Sequence, residues 1–187
     1  VAAAGNNGQN SDIYPAYPAA YDVSNIISVA AISSTGALAG FSNYGVNTVD
    51  VAAPGVSILS TMSSESDNCP TAGTHCYVSW QGTSMAAPIV SGVIANLYAA
   101  KPNIKPATID GFIAKQMVSD DRGPTDYDSF YGAGVVDLLK GLRNVNRSKT
   151  DAVTYVRPPS GVVLGLKSSA TFSIEKEGSG QASMETP

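Results

Sequence analysis

Apolar residues arrive in short runs along the first third of the chain, and only after residue 83 do they recur at helical spacing. Val1 to Ala4 is a continuous apolar run closed by Gly5, the pattern of a strand buried on both faces. A long, mostly polar connection containing Pro and Tyr follows, to Asn25, and loops of that length are usually functional. Ile26 to Ile32 predicts the next strand, Leu38 to Ser42 a short one, Thr48 to Ala52 another ahead of Pro54-Gly55, and Val56 to Ser60 one more. Met62 to Tyr77 reads as loop, and Val78 to Gln81 leads out of it.

From Thr83 the period changes. Met85, Ile89, Val93 and Leu97 fall on one stripe and Ala86, Val90, Ile94 and Tyr98 on the next, while Gly92, Ala95 and Ala99 keep the remaining side small. A helix apolar on most sides is expected at the centre of a domain rather than on its surface. Pro88 falls near the first turn, where a missing amide costs little. Lys105-Pro106 opens a second helix to about Met117, and Val135 to Val145 predicts a third. After Arg147 the composition shifts: 152–157, 162–166 and 169–174 read as strands of a small β-module separated by turns. Glu175 to Pro187 is polar and Gly/Ser-rich, a linker or the start of further strands. The chain therefore divides into a main unit, 1–147, and an appended segment, 148–187, and it has no internal repeat.

At 187 residues and 43% hydrophobic content the chain can build a core. Eleven Lys and Arg against fifteen Asp and Glu give a net charge of −4 without long runs of either sign. There is no basic footprint for nucleic acid, so protein or peptide is the expected partner. Apolar runs such as Ile26 to Ile32 and Ala86 to Ala100 are interrupted by Ser, Gly or Asn and are short for a bilayer, so no membrane span is expected. Val1 opens directly into what reads as the inside of a core strand, without a leader, and the chain is expected to be a piece of something longer. Cys69 and Cys76 flank a turn-rich sequence that can bring them together; a local disulfide and two unpaired thiols both stay open. A zinc site from these two and His75 would lack a fourth ligand and the usual spacing, and no metal is expected there.

The chemistry concentrates in Gly82-Thr83-Ser84-Met85-Ala86-Ala87-Pro88. A serine becomes a useful nucleophile when its hydroxyl is exposed in a fixed pose beside a base and anion-stabilising amides, and the first turn of a buried helix supplies that pose. Ser84 fits, although Ser and Thr are also common helix caps. Asn6 follows a Gly at a strand end, where its amide can donate to a developing oxyanion; it is equally a routine turn residue. The serine string resembles the nucleophile motif of the subtilisin-like serine peptidases. In the family's order it is accompanied by Ala3-Ala4-Gly5-Asn6, Tyr17-Pro18, Phe41-Ser42-Asn43-Tyr44-Gly45, Asp50-Val51-Ala52-Ala53-Pro54-Gly55 and Tyr131-Gly132-Ala133-Gly134, so the resemblance covers roughly Val1 to Leu142.

That resemblance implies a three-layer α/β sandwich with a mostly parallel sheet, incomplete at its N-terminus. It implies Ser84 as nucleophile, with Asn6 rather than Asn7 and the Ser84 backbone N–H as oxyanion donors. Ala3, Ala4 and Gly5 would line the pocket for the residue before the cleaved bond, Ala16 would lie near its rim, and Thr83 would join the substrate-binding set. Tyr17-Pro18 matches a cis peptide of the family, a bond that X–Pro adopts at little cost. No cofactor is implied; Asp50 stands as either a weak cation site or a solvated strand-end carboxylate, and a structural calcium is left open. A secreted protein and an N-terminal propeptide are further implications, and Asn146-Arg147-Ser148 is a glycosylation sequon.

Two departures stand out. Ile89 occupies the place where family members often carry His, which affects packing more than chemistry. The family's Asp-Ser/Thr-Gly and His-Gly-Thr motifs, which precede the Asn segment, are absent from the chain and are expected upstream of Val1. His75, the sole histidine, lies on the wrong side of Asn6 to be the base. The expected function is a serine endopeptidase whose Asp and His lie outside this chain. The alternative is a non-catalytic homologue acting as a peptide-binding or structural module. Such a groove has no physical need for both a helix-start serine and an amide oxyanion donor.

Overall fold

A computed structural model of the chain describes residues 1–63, 69 and 76–145, together with the backbone of strands at 153–155, 172–176 and 181–184. Short apolar runs of Ala and Val set up a parallel sheet: β1 (Ala2–Ala3), β2 (Ser28–Ile32) and β3 (Val51–Pro54) run side by side, with Ala2 opposite Ser28 and Val29 opposite Val51. After β3 the chain forms an antiparallel ribbon, β4 (Ile58–Met62) with β5 (Cys76–Trp80), which a Cys69–Cys76 disulfide closes at its loop end. The ribbon feeds α1 (Thr83–Ala100), followed by α2 (Pro106–Ala114), β6 (Ser119–Asp120), β7 (Val135–Val136) and α3 (Leu138–Val145). The main sheet has the order β1-β2-β3-β7-β6; β7 is parallel to β3 and only β6 is antiparallel. The expected α/β class with a mostly parallel sheet is what the structure shows.

The two faces of the sheet are covered differently. Val29, Ala31, Val51 and Ala53 point to the side where α1, α2 and α3 bring Val90, Leu97, Ile109, Ile113 and Val145. Ala30, Ile32 and Ala52 point to the other side, where Ala4, Val49, Leu38, Tyr131 and Val135 cover them without a helix. Fully buried alanines in β2 and β3 let α1 lie close to the strands. By length and composition α1 is apolar enough to cross a membrane, but its Ala86, Val90, Val93 and Leu97 pack into this core. The expectation that α1, apolar on most sides, lies at the centre of the domain holds for only part of its circumference. Pro88, Ser91, Gly92, Ala95, Asn96 and Ala99 are exposed, and no element of the described residues lies over them.

Several boundaries differ from the sequence reading, and at two of them a specific polar group intervenes. Leu38 to Ser42 makes only a single bridge, Leu38 to Ile32, because the Ser42 hydroxyl takes the Ala31 N–H and turns the segment away from the sheet. The third helix starts at Leu138, not Val135, because the Asp137 carboxylate accepts the N–H groups of Leu139 and Lys140 and caps it, which leaves Val135 and Val136 to the sheet. The second helix stops at Ala114, and Gln116 just beyond it has φ of +52°. In the appended segment, β8 (Val153–Tyr155), β9 (Phe172–Lys176) and β10 (Gln181–Met184) form an antiparallel sheet in the order β10-β9-β8. The strand expected at 162–166, His75 and the sequon at 146–148 lie outside the described residues.

Candidate active site

Two chain segments 77 residues apart meet at the N-terminus of α1. Gly82 caps the helix with φ of +151°, a conformation that favours Gly, and its N–H donates to the Gly55 carbonyl at 2.8 Å. This bond ties the helix start to the loop leaving β3. Gly82 also supplies the carbonyl that accepts from Met85 and Ala86, at 3.0 and 3.4 Å. The next free amide, that of Thr83, donates to the Asn6 side-chain oxygen at 2.9 Å. The Ser84 amide meets no acceptor among the described residues, and Ser84 is exposed. A serine in the first helical turn beside its own unpaired N–H is a natural place for an anionic group.

Asn6 is held from behind. Its Oδ1 accepts from both the Thr83 N–H and the Thr83 hydroxyl, each at 2.9 Å, and because a backbone N–H can only donate, the amide is oriented with Oδ1 toward Thr83. Nδ2 is thereby turned the other way and finds no acceptor among the described residues. A Cβ built on Gly82 would sit 3.5 Å from Asn6 Nδ2 and 3.7 Å from the Ser84 nitrogen, so both unspent donors border the same small space. The Thr83 hydroxyl also accepts the Gly5 N–H at 3.2 Å.

The residues named as pocket lining separate into different roles. Thr83 is 0% exposed with its hydroxyl fully engaged, so it positions Asn6 and Gly5 and does not itself present a surface to a substrate. Ala4, at 2%, is likewise part of the core, its N–H on the Val29 carbonyl and its own carbonyl on Asn43. Ala3 and Gly5 are half-buried, and a Cβ on Gly5 would lie 3.5 Å from that of Ala16, which puts Ala16 across from Gly5. Tyr17–Pro18 is cis.

Asp50 sits away from Ser84. Its carboxylate accepts the Ser28 N–H at 2.7 Å, and burial raises its pKa above the ordinary 3.8, outweighing that bond. Asp50 lines a cavity of about 150 Å³ together with Asp22 and Asp110, but no group of three His, Cys, Asp or Glu among the described residues converges as metal ligands. The Tyr127 hydroxyl nearby donates to the Val49 carbonyl at 2.6 Å, and its pKa is pushed up by burial and by the Asp50 charge. A cavity of about 690 Å³ between the turn at Ser33 and Arg122 borders neither Ser84 nor Asn6.

Comparison with known proteins places this geometry in a family: the model of the subtilase family (peptidase family S8) matches residues 1–134. The chain belongs to the subtilase family. It is 43% identical over 111 residues to an extracellular protease of Xanthomonas campestris pv. campestris, which covers 59% of the chain and 18% of that protein. To halolysin of Haloferax mediterranei it is 40% identical over 142 residues, 76% of the chain and 24% of halolysin. The crystal structure of fervidolysin from Fervidobacterium pennivorans, a keratinolytic enzyme related to subtilisin, superposes with a TM-score of 0.59 at 37% identity, over 75% of the chain and 22% of fervidolysin. The chain thus spans about a quarter or less of the length of these relatives. Within this subtilase the sequence signal for the candidate Ser84 lay in one contiguous string. The groups that hold Asn6, by contrast, are Thr83 and the segment around Asn43, for which sequence reading supplied no positioning role.

Proposed function

We propose that this subtilase chain carries the nucleophile and the oxyanion donors of a secreted serine endopeptidase acting on protein substrates. The observation that carries the reading is the fixed direction of the Asn6 amide: Thr83 holds its oxygen, and its NH₂ and the unpaired Ser84 N–H border one space at the exposed Ser84. Ser84 Oγ attacks the peptide carbonyl carbon as a histidine takes its proton, and the carbonyl oxygen becomes an anion that accepts from Asn6 Nδ2 and Ser84 N–H. Collapse expels the amine, which takes that proton, and water then releases the acyl group from Ser84. The histidine and its orienting aspartate come from residues N-terminal to Val1, where the family places its two missing motifs. Residues 1–147 form the peptidase part, ending in α3, and 148–187 begin a β-rich appendage. Ala3, Gly5 and Ala16 make the wall for the side chain before the cleaved bond, and their small size leaves that pocket open.

The test is hydrolysis of a chromogenic peptide amide by the full-length protein and its Ser84→Ala variant. Activity should fall by about 10⁶, the order known for losing the nucleophile in subtilisin. Unchanged activity refutes the assignment, and tight peptide binding without turnover by the unaltered protein would instead favour a non-catalytic, peptide-binding homologue.

A further inference from the structure

Behind the site lies a second asparagine with a different duty. Asn43 is 0% exposed, and every polar atom of its side chain is engaged with the backbone of the loop that carries Asn6. Its Nδ2 donates to the Ala4 carbonyl at 3.1 Å, and its Oδ1 accepts the N–H of Asn7 at 2.9 Å and of Gln9 at 3.4 Å. Its backbone N–H donates to the Gly5 carbonyl at 2.9 Å. Asn43 therefore grips residues 4, 5, 7 and 9 without a bond to Asn6. Gly5, with φ of +111°, makes the approach possible, since a Cβ there would collide with Asn43 Nδ2. Flanking bonds extend the seam: Gly8 donates to the Phe41 carbonyl at 2.7 Å and Tyr44 to that of Gln9 at 3.1 Å.

We infer that Asn43 is a positioning residue for the reaction, one that fixes the backbone on both sides of Asn6 so that its amide stays aimed at the oxyanion. The inference rests on the oxyanion role of Asn6 proposed above. The physical case is one of order. Thr83 sets the rotation of the Asn6 amide, but a side chain is only as fixed as the backbone beneath it. The loop between β1 and Tyr17 has no sheet partner at Asn6. Asn43 provides the missing partner from a neighbouring segment, with one buried amide serving as a two-sided clamp. Any loosening displaces a donor whose value depends on sub-ångström placement in the transition state, whereas Gly5 of the pocket wall keeps its carbonyl on the backbone N–H of residue 43 and its own N–H on the Thr83 hydroxyl. Loss of Asn43 should thus lower kcat and leave KM nearly unchanged.

The experiment is a double-mutant cycle of Asn43→Ala with Asn6→Ala in the full-length protein, with Asn43→Ser as a milder variant that keeps a hydroxyl for the Asn7 N–H. Rates are counted per active site from the amplitude of reaction with a sulfonyl fluoride, so unfolded protein does not enter. In the unaltered background Asn43→Ala should reduce kcat by about 10- to 100-fold with KM within about twofold, and Asn43→Ser by less. In the Asn6→Ala background the same change should reduce kcat by less than about twofold, because there is no donor left to misplace. An equal loss in both backgrounds overturns the inference and leaves the oxyanion reading intact. An Asn6→Ala variant with full kcat overturns that reading, and this inference with it.

Discussion

Replacing Thr83 by Val removes one hydroxyl and little else, and the consequences divide between stability and rate. The side chain is 0% exposed, and its hydroxyl both donates to Asn6 Oδ1 at 2.9 Å and accepts the Gly5 N–H at 3.2 Å. Valine has nearly the same shape, so no large cavity opens, but the Gly5 N–H loses its acceptor in a half-buried place. A buried donor left without a partner costs about 1–3 kcal/mol. For a domain of this size each kcal/mol lowers Tm by roughly 2–4 °C. The rate effect is smaller than a donor deletion, because the Thr83 N–H still holds Asn6 Oδ1 at 2.9 Å. Losing one of two orienting bonds, each worth about 0.5–1.5 kcal/mol net, lowers kcat by at most roughly tenfold. Deleting the proposed donor itself, by Asn6→Ala, is expected to cost about 10²–10³, the loss known for such a donor in subtilisin. Peptide amide kinetics and thermal unfolding of the same preparations check both numbers, with Thr83→Ser expected to recover most of each. A Thr83→Val protein with the original Tm and kcat would refute the hydrogen-bond geometry on which the site is built.

Two further outcomes follow from packing and charge. Gly55→Ala places a Cβ 2.6 Å from that of Ala31 and 2.8 Å from the Gly82 carbonyl oxygen, so the loop after β3 must separate from the start of α1. A cost of about 1–3 kcal/mol in urea unfolding and a fall in kcat are expected, and a fully active, equally stable variant would show that the Gly55–Gly82 contact is not required. Asp50 has a pKa raised first by burial, so the folded state holds its proton more tightly than the unfolded chain does. Its contribution to stability is complete below about pH 4 and is lost as pH rises through the raised value. Asp50→Asn keeps an acceptor for the Ser28 N–H and has no charge to bury, so its Tm advantage should grow between about pH 4 and 7. If the variant is instead the less stable at pH 7, a cation stabilises the Asp50 carboxylate.

How far the sequence carried can be judged element by element. The change of period at Thr83 located the start of α1, and the stripe from Met85 to Leu97 lies inside it, because periodicity is a local property and the stripe meets a sheet face of buried small residues. The strands around Val29 and Val51 were legible for the same reason, as short apolar runs bounded by Gly, Pro or Ser. What escaped was set by side chains reaching across the chain. Ser42 diverts a segment that reads as a strand, and Asp137 caps the third helix at a point where the helical pattern is already under way. The position of Thr83 in the string says nothing of its direction, which is inward to Asn6 and Gly5 and is decided by residues 77 and 78 positions away.

The same distinction explains why the proposed nucleophile is easier to read from the sequence than the groups around it. Ser84 has to be exposed and to stand at a helix start, and both conditions leave marks within a few residues: small neighbours, a Gly before the helix and an apolar stripe after it. Asn43 has to be buried and to satisfy four backbone groups of another segment, and although it lies in the Phe41-Ser42-Asn43-Tyr44-Gly45 run that matches the family, no residue near it tells which groups it holds. A buried amide is costly unless every hydrogen bond is made, so it is tolerated only where the bonds it makes hold something in place. In this subtilase what it holds is the backbone of residues 4, 5, 7 and 9, on both sides of Asn6, and it leaves the Asn6 amide free for the oxyanion role proposed for it.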